Sequence, residues 1–351
     1  ILSAAMVERA KSGHPGGAMG GADFINTLYS EFLIFDPDRP TWSGRDRFFL
    51  DPGHMSPMLY AQLALVGKFD MEELKQLRQW GSPTPGHPEV DVERGIENTS
   101  GPLGQGHTFA VGAAIAAKFL AERLGWVMSQ TIYAYISDGG IQEEISQGAG
   151  RVAGHLGLDN LIMYYDANNI QLSTKVDEVD SEDVAAKYRA WGWKVLSIDG
   201  CDSDAIRAAL TEAKATVGQP TLIIGRTIMG RGAVAADGSS FEDKVSTHGQ
   251  PLSAAGADFA ATVRHLGGDP EDPFRIFPDV QALYDARLSE LRQLAAARRE
   301  EEAHWAVENP DRAAKLERWF GGAAPSIDWS QVEQKPNQAT RAASATVLSA
   351  L

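Results

Sequence analysis

Through residues 20 to 266 the chain alternates short apolar strand-like runs with amphipathic helix-like ones, and this alternation constrains the fold more than any other feature. The runs "TIYAYIS", "LIMYY", "WKVLSI" and "TLIIG" are rich in β-branched and aromatic residues. Between them lie "EEISQGAGRVAGHL", "SEDVAAKYRAWG" and "SDAIRAALTEAKA", whose apolar positions recur at helical spacing. Strands that are apolar on both sides need cover on both sides. The pattern therefore predicts an α/β fold, a doubly wound parallel sheet with helices on both faces. Upstream, "DRFFL" predicts a further strand and a helix begins near Ser56, with Pro57 tolerated in its first turn. "DMEELKQLRQW" predicts a helix opened by Asp70 and Glu73 at capping-box spacing. Gly104 to Leu124 reads as an Ala-rich helix buried on more than one side.

The predicted organisation is an α/β domain over 1–270, a helical extension over 271–320, a linker over 321–338 and, from 339 to 351, the start of a second domain. The extension reads as two charged helices split near Asn309 and Pro310. The first residues, "ILSAAMVERA", already look like mid-helix, and the closing "TRAASATVLSAL" has no stop signal, so the sequence reads as a fragment of a longer protein. At 351 residues it is long enough for one large or two ordinary cores. A single cysteine, Cys201, excludes an intramolecular disulfide and points to a reducing compartment, the cytoplasm. The net charge of −15 argues against a nucleic-acid surface. No apolar run approaches the roughly 20 residues of a membrane helix.

Two strand tips hold the first chemical signal. "YAYISDGG" ends at Asp138, Gly139 and Gly140, and "LIMYYDANNI" ends in a polar turn around Asn168. In open α/β sheets ligands bind beyond the carboxyl ends of the strands. Carboxylate, amide and backbone carbonyl oxygens suit Mg²⁺ or Ca²⁺, and the glycines let backbone approach a phosphate. Taken alone, the tips read equally as a metal–diphosphate site or as two tight turns that bind nothing. Five of the eight histidines, His14, His54, His87, His107 and His248, sit among Gly, Pro or Ser, contexts in which backbone approaches a ligand. They lack cysteine partners and HxxxH spacing, which disfavours zinc. His155, His265 and His304 fall in helix-like stretches and read as structural.

Over nearly its whole length the chain resembles the transketolases, thiamine-diphosphate enzymes of sugar phosphate metabolism and the pentose phosphate pathway. "SGHPGGAMG", "PGHMSPMLYA", "GSPTPGHPE", "TSGPLGQG", the Asp138–Asn168 pair, "RAWGW" and "THGQPL" occur in family order. The resemblance implies the thiamine-diphosphate-binding fold and reversible transfer of a two-carbon ketol unit between sugar phosphates, such as xylulose 5-phosphate and ribose 5-phosphate. It implies that Asp138, Asn168 and the Ile170 carbonyl ligate Mg²⁺ or Ca²⁺. By the same resemblance His54, Gly101, Pro102, Leu103, Gly139, Asn168, Leu172 and His248 hold thiamine diphosphate. His14, His87 and His248 would face the substrate as catalytic residues, and Arg341 would grip its phosphate. Glu143 matches a carboxylate near the contact of a homodimer.

The chain departs from the family pattern at three points. Ser137 stands where the family usually has Gly before the metal-binding Asp, and Gly148 where it has a second glutamate. The glutamate that activates the aminopyrimidine belongs to the family's second, pyrimidine-binding domain, which this sequence barely enters, so the chain alone is expected to be inactive. Two alternatives stay open: a dihydroxyacetone synthase-like transferase, and a non-catalytic cofactor-binding subunit that needs a partner chain.

Overall fold

The computed structural model describes residues 1–322 and 326–350, so the expected linker lies partly outside the described residues. The chain divides into two compact units, Ile1–Arg299 and Glu300–Leu351. In the first, β1 (Arg47–Leu50), β2 (Ile132–Ser137), β3 (Leu161–Ala167), β4 (Lys194–Asp199) and β5 (Thr221–Arg226) form one sheet in the order β1-β2-β3-β5-β4. Every neighbouring pair is parallel. Each strand-like run of the sequence supplies one of these strands.

The side-chain period of two sorts the strands into two cores. Phe48, Leu50, Tyr133, Tyr135, Ile162, Tyr164 and Ile223 face one layer, built on helices Leu2–Ala10, Ala22–Thr27 and Ser56–Leu65. Phe49, Ile132, Ala134, Ile136, Leu161, Met163, Tyr165 and Leu222 face the other, under helices Gln105–Leu124 and Glu144–His155. Phe24 stacks on Tyr164 with ring centroids 3.9 Å apart and planes 23° from parallel, closer than the roughly 4.5–7 Å usual for aromatic pairs. Parallel pairing puts all the carboxyl ends on one edge. Ser137 pairs with Asp166, so Asp138 and Asn168 leave adjacent strands side by side.

One helix is shorter than its sequence predicts. The capping box at Asp70 forms as expected, with Asp70 accepting from the Glu73 N–H at 2.7 Å. The α-helix nevertheless ends at Leu74. Gln76 and Leu77 close only i→i−3 bonds, and Arg78 enters the left-handed region at φ 62. The Thr84 hydroxyl takes the Glu73 carbonyl that a longer helix would have used. In the charged region beyond residue 270, helices Pro278–Glu308 and Pro310–Phe320 divide at Asn309, as the sequence reads. The second unit closes with helix Thr340–Ala350, where the Gln334 amide donates to the Ala343 carbonyl at 3.1 Å.

Candidate functional site

At the carboxyl edge of the sheet lies a cleft of about 550 Å³. Its walls bring together His14, His54, His87, His248, Gly101, Leu103, Gly139, Glu143, Asn168, Ile170 and Leu172, residues drawn from segments more than two hundred positions apart. Asp138 lies just beneath, 2% exposed. Its carboxylate accepts the Tyr165 hydroxyl at 2.5 Å and the Asn168 backbone N–H at 3.1 Å. Asn168 in turn accepts the Ile170 N–H at 3.0 Å, which folds the turn so that the amide oxygen and Ile170 stay together. Asn169, at φ 63, pairs its side chain with Asp177 and holds the rest of that turn.

Burial pushes the Asp138 carboxyl up to about 7; the Tyr165 hydrogen bond opposes this and the neighbouring Asp166 adds to it. Asp166 is itself raised by burial. Two buried carboxyl groups at adjacent strand ends disfavour each other's ionisation, a cost that a divalent cation bound at Asp138 would offset. Among the described residues no group of three His, Cys, Asp or Glu side chains is placed to hold a metal. A cation here would thus rely on the mixed carboxylate, amide and carbonyl oxygens, a donor set that fits Mg²⁺ or Ca²⁺ rather than zinc.

Ser137 has ordinary extended angles, φ −99 and ψ 174, and its hydroxyl accepts from the Gly140 N–H at 3.4 Å. Replacing the family's usual glycine there costs no strain. The two glycines after Asp138 differ in what they do. Gly139 lines the cleft, and a Cβ there would meet only Leu103, at 2.9 Å. A Cβ on Gly140 would fall 2.4 Å from the Asp51 carboxylate, so that glycine serves packing beneath the site and not the approach of a ligand.

The histidines form a cluster. His14 and His54 have ring centroids 4.9 Å apart, His54 stacks on His248 at 5.2 Å, and His14 meets His248 edge-on at 5.6 Å. Burial lowers His14 to about 4, with His248 and Arg78 adding to the effect. Burial likewise lowers His54, His87 and His248, so the cluster is neutral near pH 7. Neutral imidazoles offer both a donor and an acceptor to sugar-like hydroxyls. The Nδ1 of His248 is buried with no hydrogen-bond partner among the described residues, a polar atom fitted to a ligand.

His107 corrects the sequence reading. It does not line the cleft but sits fully buried in the first turn of helix Gln105–Leu124, its Nδ1 2.5 Å from the Ser146 hydroxyl. Burial lowers it to about 3. The unfolded chain therefore takes up a proton below pH 6.5 that the folded state refuses until about pH 3, and stability falls as pH drops through that window. His107→Leu is expected to lower stability at pH 7 by about 1–3 kcal/mol, because the buried Ser146 hydroxyl loses its partner, and to make the acid limb shallower. Urea unfolding from pH 7 to pH 4 checks this; an unchanged limb would refute it.

Pro102 is exposed in the same loop as Gly101 and Leu103 but is not part of the wall. Arg341 belongs to the second unit, exposed near the start of its last helix. His155, His265 and His304 are exposed on helices. Two residues that the sequence did not single out support the site. Asp51, directly after β1, is fully buried and accepts the N–H groups of Gly104 at 3.1 Å and His107 at 3.2 Å. It seats the "GPLGQG" loop and the helix start behind it. The available signal was the one that marked Asp138, a carboxylate at the tip of an apolar strand. The other is Arg78, whose φ and partners no sequence pattern reveals.

Parallel strands, a carboxyl-edge cleft, paired oxygen-bearing side chains at two strand tips and bare glycine backbone together define a cofactor-binding α/β domain. Residues 1–325 match the family described as transketolase, thiamine diphosphate binding domain, and the chain belongs to that family. Transketolase 2 of Xanthobacter flavus is 38% identical over 98% of this chain and 51% of its own length. Transketolase 1 of Escherichia coli K12 is 40% identical over 93% of this chain and 49% of its own. Among solved structures, transketolase from Leishmania mexicana aligns with a TM-score of 0.91 at 34% identity, covering 100% of this chain and 53% of that one. A Pichia stipitis transketolase in complex with sedoheptulose 7-phosphate aligns at 0.88 and 34% identity, over 99% of this chain and 52% of its own. The chain thus spans about half the length of the relatives it matches.

Proposed function

We propose that this chain is the diphosphate- and metal-binding half of a transketolase that moves a two-carbon ketol unit from a ketose phosphate to an aldose phosphate. The observation that carries this reading is the convergence of the Asp138–Asn168 strand tips with four histidines in one cleft. Asp138, Asn168 and the Ile170 carbonyl would hold Mg²⁺ or Ca²⁺. Gly139 backbone, His54, Gly101, Pro102, Leu103 and Leu172 would hold thiamine diphosphate. That cofactor supplies an electron sink for the carbanion left when the ketose breaks between C2 and C3. His14, His87 and His248 would bind the sugar hydroxyls and handle protons at the reacting oxygens, and Arg341 would bind the sugar phosphate.

The reading extends to a homodimer in the cytoplasm. Beside Glu143, which is exposed at the cleft's rim, helix Gln105–Leu124 exposes Phe109, Ile115 and Phe119, and helix Glu144–His155 exposes Ile145 and Val152. These two helices pack together, so the exposed apolar groups support a face that a second subunit would cover. The single cysteine supports a reducing compartment.

Calorimetric titration with thiamine diphosphate, with and without Mg²⁺, followed by a ketol-transfer assay with xylulose 5-phosphate and ribose 5-phosphate, tests the proposal. The 351-residue chain is expected to bind the cofactor only with metal and to give no turnover alone. Adding the other half of the relatives' length is expected to restore turnover. Absence of metal-dependent cofactor binding would overturn the reading, and formaldehyde outperforming ribose 5-phosphate as acceptor would change the substrate class.

A further inference from the structure

Arg78 lies outside the wall of the cleft, yet its side chain touches two of the histidine loops. Its backbone is in the left-handed region at φ 62, a conformation that costs about 1 kcal/mol or more for a residue with a long side chain. Its N–H donates to the Thr84 carbonyl at 3.0 Å, which fixes the residue inside the turn leading to His87. One guanidinium nitrogen donates to the Ser12 hydroxyl at 3.0 Å, and the other lies 3.4 Å from Nδ1 of His14.

The guanidinium also packs on the glycines that directly precede two of the histidines. A Cβ on Gly86 would fall 2.7 Å from Nε of Arg78, and one on Gly13 would fall 3.7 Å from the same atom. The Gly86 loop is anchored from its other side, where Ser56 and Tyr60 donate to the Gly86 and Pro85 carbonyls, each at 2.9 Å. Arg78 is therefore held at three points between Gly13–His14 and Gly86–His87.

A guanidinium carries only donors. The His14 Nδ1 that faces it must present its lone pair, because an N–H there would set two donors against each other. The proton of the neutral ring then sits on Nε2, the edge turned toward the "THGQ" loop, where a Cβ on Gly249 would lie 3.6 Å away. We infer that Arg78 is a positioning residue that joins the His14 and His87 loops and locks His14 as the Nε2–H tautomer, so that His14 enters the cleft as a hydrogen-bond donor to oxygen. In that state His14 binds a hydroxyl or a developing oxyanion, and cannot take a proton at the edge it presents. The consequence for catalysis rests on the function proposed above; the tautomer itself does not.

The ionisable groups facing His14 are Arg78, His54, His87 and His248. All remain neutral or permanently cationic near pH 7, so among the described residues no carboxylate competes for the ring proton.

The test is a long-range ¹H–¹⁵N correlation spectrum of the ¹⁵N-histidine-labelled chain, with the His14 signals assigned by their loss in His14→Gln. The wild type is expected to show the Nε2–H pattern and to stay neutral down to about pH 4. In Arg78→Ala both tautomers should populate and the midpoint should move up, because a neighbouring cation has gone. Arg78→Lys, a donor-only cation, should restore the Nε2–H pattern, which a purely space-filling role would not require. Signals of His107, His155 and His265 report whether each variant stays folded. An Nδ1–H pattern in the wild type, or an unchanged pattern in folded Arg78→Ala, would overturn the inference. If Arg78→Ala does not fold, the wild-type tautomer decides alone. Loss of thiamine diphosphate binding in the unmodified chain would count against the proposed function and leave the tautomer result standing.

Discussion

Replacing Asp138 by Ala is expected to weaken metal-dependent binding of thiamine diphosphate by more than about 100-fold, beyond the 10- to 100-fold that loss of a supporting residue typically costs a metal site. The carboxylate is the only charged oxygen in the proposed ligand set, and its distance to the Asn168 N–H, 3.1 Å, also orients the second ligand. Alanine removes the proposed ligand, its charge and the anchor of the turn at once. Asp138→Asn separates these contributions: it keeps the shape and loses the charge, and is expected to bind only at much higher metal concentration. Calorimetry at fixed Mg²⁺ measures both, with thermal unfolding of the cofactor-free variants as the control for folding. An affinity within a few-fold of wild type for folded Asp138→Ala would remove the metal assignment.

Asp51→Ala is expected to lower the unfolding free energy by about 2–5 kcal/mol, since each buried donor left without a partner costs about 1–3 kcal/mol. The donors are the N–H groups of Gly104 and His107, with that of Gly106 close by, all at the start of helix Gln105–Leu124. The helix terminus favours an anion there, yet burial still pushes the Asp51 carboxyl up from 3.8 to about 6. Between those values the folded state holds a proton that the unfolded chain has released, so this group's contribution to stability falls as pH rises through that window. Asp51→Asn should flatten the slope between pH 4 and 6 as well as lower stability. Urea denaturation across that range checks both, and a loss below about 1 kcal/mol for Asp51→Ala would mean that other groups hold the loop.

Much of this molecule was legible along the chain. The strand runs around Tyr133, Met163, Val195 and Ile223 could be read because a sheet buried on both faces needs continuous apolar residues, and each forms a strand of the sheet. Asp138 and Asn168 stood out because a polar knot at the tip of such a run has no packing reason to be there. The histidine loops stood out by their Gly, Pro and Ser contexts, and four of the five line one cleft. The helix expected through Trp80 failed for a physical reason. Propensity and the capping box act within one turn, whereas the left-handed turn at Arg78 is imposed by contacts with Ser12, His14 and Gly86, far away in sequence.

Local chemistry by itself determined the layers and the strand ends, because side-chain period and turn residues are properties of neighbouring positions. Only the tertiary structure decided which histidines meet. It buried His107 against Ser146 away from the cleft, set His14, His54 and His248 ring to ring, and placed Asp51 and Arg78 behind the loops they hold. Those outcomes depend on segments more than two hundred residues apart being brought to one edge of a parallel sheet, where burial, not sequence distance, sets each group's partners and its proton.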